Sequence, residues 1–182
     1  MYNKYFILIT SLTTILICGC GDPYGFSKDF QLTTIDEAKG YTVIELSGMG
    51  ELPLANGSPT DDYLIVKKIN YYSLPVYYQL LFQRHSSTNY LSPKRLVFLI
   101  DKQRYILTFL GSDKSDTSEW AWILVEPSFL KKIADAKKVS FSVEGSDKTI
   151  DYIFNERYLY CFKRFYKECV LPDEKLGIPG NR

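Results

Sequence analysis

Glu119-Trp120-Ala121-Trp122-Ile123-Leu124-Val125, followed after one residue by Pro127-Ser128-Phe129, is the stretch on which the fold class turns. Its first part alternates, so Trp120 and Trp122 point to one side of an extended chain and Ala121 and Ile123 to the other. Pro127 then opens a helix predicted through Ala136, because proline is favoured in the first turn, where its missing N–H is not needed. Phe129, Leu130, Ile133 and Ala134 recur at helical spacing and form the apolar face.

Upstream the pattern stays extended. Tyr41 to Leu46 is a strand by its β-branched content, and Tyr63 to Tyr72 and Val76 to Gln83 are aromatic-rich strands separated by Ser73-Leu74-Pro75. Arg95 to Ile100 and Arg104 to Leu110 flank a short hairpin turn at Asp101-Lys102-Gln103. Gly48 to Thr60, rich in glycine and proline, is a long loop. Thr34-Ile35-Asp36-Glu37 has capping-box spacing, with Gly40 as a stop, which predicts a one-turn helix. Downstream, Val139, Phe141 and Val143 alternate with serines, and Glu144 to Asp147 turns into a strand over Thr149 to Phe154. Asn155 is a good N-cap for a helix from Glu156 to about Cys169. Many strands with helices inserted late predict an α+β fold: a mostly antiparallel sheet with two or three short helices.

The chain has 182 residues, 22 Lys and Arg against 21 Asp and Glu, and a single histidine, His85. That length suits one domain, which buries roughly 70% of its unfolded surface. A near-zero net charge argues against a nucleic-acid partner. One imidazole excludes any site that needs two.

The N-terminus reads as an address. Met1 to Cys20 is MYNKYFILITSLTTILICGC, with Lys4 its only charged side chain and an apolar run from Tyr5 to Ile17. The run falls short of the about 20 residues needed to cross a bilayer, and its order of positive, apolar and small residues describes a secretory signal segment. Ile17-Cys18-Gly19-Cys20 resembles the lipobox of bacterial lipoproteins, with Cys18 where alanine, serine or threonine is usual. The resemblance covers about 20 residues. It implies removal of residues 1–19, a diacylglycerol thioether on Cys20 and acylation of its amine. Gly21, rather than an aspartate, after Cys20 resembles lipoproteins sorted to an outer membrane, facing the periplasm where the host has two membranes. Residues 20–28 are then a lipidated tether, 29–171 the globular domain, and 172–182, marked by Pro172, Gly177, Pro179 and Gly180, a flexible tail.

Cys161 and Cys169 pose a fork. On one helix they lie about 12 Å apart, and a disulfide tolerates at most about 7 Å between Cα atoms. A helix and a bridge exclude each other; the helix is preferred, with a strand over Arg157 to Phe162 and a closing turn as the alternative.

No catalytic set is recognised. His85 lies among Gln83, Arg84, Ser86 and Ser87 and reads as a surface-loop residue. Leu46-Ser47-Gly48-Met49-Gly50 lacks the first glycine of a nucleophile elbow, and Pro53 removes the helix that would follow. Asp113, Asp116 and Glu119 lack the alternate-residue spacing of a calcium loop, and Asp61-Asp62 is a weaker case. No metal or cofactor is expected. Fifteen Tyr, 11 Phe and 2 Trp are the compositional excess. Tyr71, Tyr77, Trp120 and Trp122 form a candidate binding face, because one face of an antiparallel sheet is often solvated. The bland alternative puts one tyrosine of each adjacent pair into the core.

These readings converge on an envelope lipoprotein, held to a membrane by its anchor, whose non-catalytic domain binds an envelope protein or protects against a toxin in the manner of an immunity or inhibitor protein. A glycan- or lipid-binding domain is the rival, and a hydrolase with an unrecognised site stands third.

Overall fold

The computed structural model describes residues 31–35, 41–47, 51–71, 75–86 and 89–177, with the side chains of 31–35 and 47 outside the description. Among the described residues, ten strands form two antiparallel sheets. The first has β1 (Gln31–Ile35), β2 (Tyr41–Ser47), β3 (Asp62–Tyr71), β4 (Tyr77–His85), β8 (Ser118–Val125) and β7 (Gly111–Lys114) in the order β1-β2-β3-β4-β8-β7. The second has β10 (Thr149–Ile153), β9 (Val139–Glu144), β5 (Arg95–Ile100) and β6 (Gln103–Thr108) in the order β10-β9-β5-β6. The fold is α+β, and its strands are antiparallel as the sequence predicts.

The alternation in β8 is observed: Ala121, Ile123 and Val125 are buried, whereas Trp120, Trp122 and Leu124 are only partly covered. Asp101 and Lys102 form a two-residue turn with φ of 45° and 77°. Both residues then occupy the left-handed region, as a type I′ hairpin requires. The Asp101 carboxylate holds the turn by accepting from the backbone N–H groups of Lys137 and Lys138. Those bonds draw its pKa below the usual value.

Helix α1 (Pro127–Asp135) buries Phe129, Leu130, Ile133 and Ala134, the face predicted for it. Asn155 caps α2 (Glu156–Phe165), its Oδ1 accepting from the Tyr158 N–H at 2.9 Å. The chain passes through a π-helical turn (Tyr166–Val170) into α3 (Leu171–Lys175). Pro172 lacks the N–H that would bond the carbonyl of Glu168, which is a physical reason for the wider turn before it. The helix therefore continues past Pro172, where the breaker residues suggested a tail; proline here sits in the first turn of α3. Cys161 and Cys169 are buried on this helical run and no disulfide joins them. Burial pushes the Cys169 thiol up to about 11. Among the described residues, no helix is long and apolar enough to cross a membrane.

The Thr34 capping box does not start a helix at Ile35. Thr34 and Ile35 pair with Ile44 and Val43 of β2, because the ladder satisfies their backbone groups. Residues 36–40 lie outside the described residues, as do the signal segment and tether.

The core is largely aromatic. Phe98 stacks on Phe141 at 5.2 Å, Phe141 on Tyr152 at 5.0 Å, and Phe154 packs Phe162 at 5.1 Å, joining the second sheet to α2. Each large apolar side chain buried this way contributes about 1.5–3 kcal/mol. Among the described residues, eleven aromatic side chains are buried in this way.

Candidate functional site

The outer face of the six-stranded sheet carries the candidate residues. Register fixes this: Ile69 faces Tyr77, Leu81 faces Trp122 and Gln83 faces Trp120. Directly paired residues share a side of the sheet, and so do residues two apart on one strand. Tyr71, Tyr77, Trp120 and Trp122 therefore lie on one surface. They form two groups. Tyr71 meets Tyr77 edge-on at 5.9 Å, and Tyr41, which the sequence reading did not single out, packs on Tyr71 at 5.4 Å. The tryptophans lie across from Leu81 and Gln83, four and six residues further along β4, or about 13–20 Å from Tyr77. Gln79, Leu81 and Leu124 occupy the surface between the groups.

Gly111 on β7 is part of this surface. It faces Trp122, and a Cβ there would come within 2.2 Å of the indole, so only glycine lets Trp122 lie across the neighbouring strand. Tyr77 and Tyr78 split as the bland alternative has it, Tyr77 half-buried on the outer face and Tyr78 buried in the core, whereas Tyr72, the neighbour of Tyr71, lies outside the described residues.

His85 ends β4 rather than standing in a loop, and it is exposed. Its Nδ1 lies 2.9 Å from Ser118 Oγ and its Nε2 lies 3.2 Å from the Gln83 amide. A serine beside a histidine is half of a nucleophile–base pair, but the second ring nitrogen meets an amide where a triad has a carboxylate. The nearest carboxylate in sequence, Glu119, points to the opposite side of β8. The pair clasps two neighbouring strands.

Asp113, Asp116 and Glu119 are not brought together. Asp113 and Asp116 are exposed on the β7–β8 hairpin, whereas Glu119 is 2% exposed and accepts from the N–H groups of Leu91 and Ser92 at 2.6 and 2.9 Å. Among the described residues, no group of three or more His, Cys, Asp or Glu is arranged to hold a metal ion. Ser47 ends β2, and Gly48 to Gly50 lie outside the described residues. Cys20 also lies outside them.

Sequence reasoning missed two buried polar clusters. Asp62 of β3 faces Arg84 of β4 and accepts from the Tyr152 hydroxyl at 2.6 Å, with the Arg84 Nε at 3.8 Å. Burial holds the Asp62 carboxyl above its usual pKa, opposed by the Tyr152 hydrogen bond and the Arg84 charge. At the other end of the same two strands Lys68 faces Tyr78, and both bond Asp173 of α3, Lys68 at 2.7 Å. Burial and the Asp173 carboxylate raise the Tyr78 phenol.

Comparison with protein-family models, with curated proteins and with solved structures finds no match for the chain.

Proposed function

We propose that this chain is a membrane-anchored envelope lipoprotein whose domain binds another protein through the outer aromatic face of its six-stranded sheet, in a protective, immunity- or inhibitor-like role. The observation that carries the binding part is that Tyr41, Tyr71, Tyr77, Trp120 and Trp122 share one open sheet surface. Tyrosine and tryptophan offer large contact area at low entropic cost and are enriched where proteins meet. The lipobox-like ending at Cys20 supports the anchor, with outer-membrane placement following from Gly21 in a two-membrane host. A glycan is the second reading. It is disfavoured where Tyr41, Tyr71 and Tyr77 pack against one another, because those rings then have less face to offer a sugar.

Affinity capture from envelope extract tests the binding role. The full chain should retain a protein, and Trp120→Ala with Trp122→Ala should reduce recovery by about tenfold. Glycan recovered without protein would replace this reading by the second. Cys20→Ser should abolish acyl labelling and release the protein from membranes; persistent labelling would refute the anchor.

A further inference from the structure

A second surface lies on the other sheet. Among the described residues, strand β6 pairs only with β5 and ends its sheet. Ile100 and Gln103 close the two-residue turn, so they form a hydrogen-bonded pair, as do Phe98 with Tyr105 and Leu96 with Leu107. The alternate residues Arg104, Ile106 and Thr108 therefore turn their N–H and C=O groups away from β5, along the open edge. Ile106 is 53% exposed and its neighbour Leu99 46% exposed. An uncovered edge of this kind is a template for another strand.

The surroundings of this edge are cationic. Lys102 and Arg104 belong to the hairpin, Lys137 and Lys138 adjoin its turn, and Lys131 and Lys132 lie on α1 beside Tyr105 and Gln103. The local acids are already engaged: Asp101 with the backbone of Lys137 and Lys138, Asp135 with Lys131, and Asp151, which shares a hollow with Arg104, with the Ser142 hydroxyl. Lys132 lies over the Tyr105 ring at 4.9 Å. Lys102, Arg104, Lys137 and Lys138 have no ion pair among the described residues. Three of these lysines line a hollow of about 540 Å³ with Leu99 and Ser140. Six cations against three acids stand out in a chain whose formal net charge is +1.

We infer that the free edge of β6 takes an extended, acidic segment of a partner protein as an added strand. Main-chain bonds to Arg104, Ile106 and Thr108 supply the pairing, and Lys102 and Arg104 on the hairpin with Lys132 over Tyr105 select carboxylates, whereas Lys137 and Lys138 lie beyond β5 from this edge. A second copy of this chain fits poorly, because edge-to-edge pairing sets two cationic edges together. This surface is separate from the aromatic face and does not depend on it.

Full-length protein in a neutral detergent, titrated with a labelled peptide alternating Glu and Val, tests the inference. Binding should weaken with added salt and should exceed that of the matching Lys–Val peptide by at least about tenfold. Ile106→Pro removes only an outward-facing N–H, so the fold should persist while peptide binding falls by at least about tenfold. Arg104→Glu with Lys132→Glu, which leaves the backbone intact, should do the same. Equal binding of the two peptides, or binding untouched by both variants, would overturn the proposal. So would capture of phosphatidylglycerol vesicles in place of the peptide, or self-association lost in Ile106→Pro. Envelope-protein capture that survives both variants, together with peptide binding they leave untouched, would leave the aromatic-face reading standing and refute this edge alone.

Discussion

The two ends of the inner face of β3 and β4 are built from the same elements and resolved differently. Asp62 faces Arg84 at one end and Lys68 faces Tyr78 at the other, with Leu64, Val66, Leu80 and Phe82 fully buried between them. The Lys68 end is covered by helix, and α3 brings one carboxylate, Asp173, that satisfies both strand residues. The Asp62 end is covered by the second sheet, which brings a neutral hydroxyl from Tyr152. There the Arg84 Nε and Nη1 are buried without a hydrogen-bond partner among the described residues. Glu119 adds a second carboxylate nearby, already committed to Leu91 and Ser92. A helix can aim the two oxygens of one carboxylate at two partners; a sheet strand presents its groups at fixed spacing and leaves some demands unmet. Charge is therefore balanced by geometry at one end and only approximately neutralised at the other.

The largest expected effect tests the satisfied end. Asp173→Ala leaves the Lys68 ammonium and the Tyr78 hydroxyl buried without their shared acceptor. It should cost about 3–5 kcal/mol in urea unfolding, because removing one partner of a buried pair strands the other. A loss under about 1 kcal/mol would mean that water already shares the load there.

Glu119→Ala should cost less, about 2–3 kcal/mol, by leaving the Leu91 and Ser92 N–H groups unsatisfied. Ser92 has φ of 49°, so its backbone is held in an uncommon conformation that this carboxylate secures. Hydrogen exchange should accelerate at Leu91 and Ser92 before the rest of the domain responds. Uniform acceleration would show that Glu119 supports the whole sheet.

The smallest effect concerns pH. The Asp62 carboxyl has a folded pKa raised above its unfolded value of about 3.8. Its contribution to stability is fully present below that unfolded value and is lost as pH rises through the folded pKa. Asp62→Asn should keep an acceptor for Tyr152 and remove this dependence, so the variant gains on the wild type as pH climbs above about 4. Parallel stability curves for the two proteins would place the burial cost elsewhere in the cluster.

These clusters mark the limit of what was legible. Strand alternation over Glu119–Val125, the Asp101–Lys102 turn, the apolar face of α1 and the Asn155 cap follow from local periodicity and capping chemistry. Each was readable because its cause lies within a few residues. Lys68 reads as an ordinary polar member of a strand, and Asp62 and Glu119 were weighed only as calcium carboxylates; their partners come from 105, 90 and 28 residues away. Thr34 misled for the complementary reason: capping-box spacing describes a local option, and pairing with β2 took its place. Of the candidate face, the four named residues were found by composition. Tyr41 was not, because only the β2–β3 register sets it against Tyr71.

By itself the sequence determined the α+β class, the antiparallel strands, the capped terminal helix and, through the lipobox-like ending at Cys20, an expectation of where the chain is held. Periodicity, turn chemistry and a short address need only neighbouring residues. Tertiary structure alone decided which charges are buried, that the aromatics divide into two groups on one sheet face, and that β6 is left at an edge. Those outcomes depend on which distant strand or helix comes to lie against a given side chain, and no short-range pattern encodes that choice.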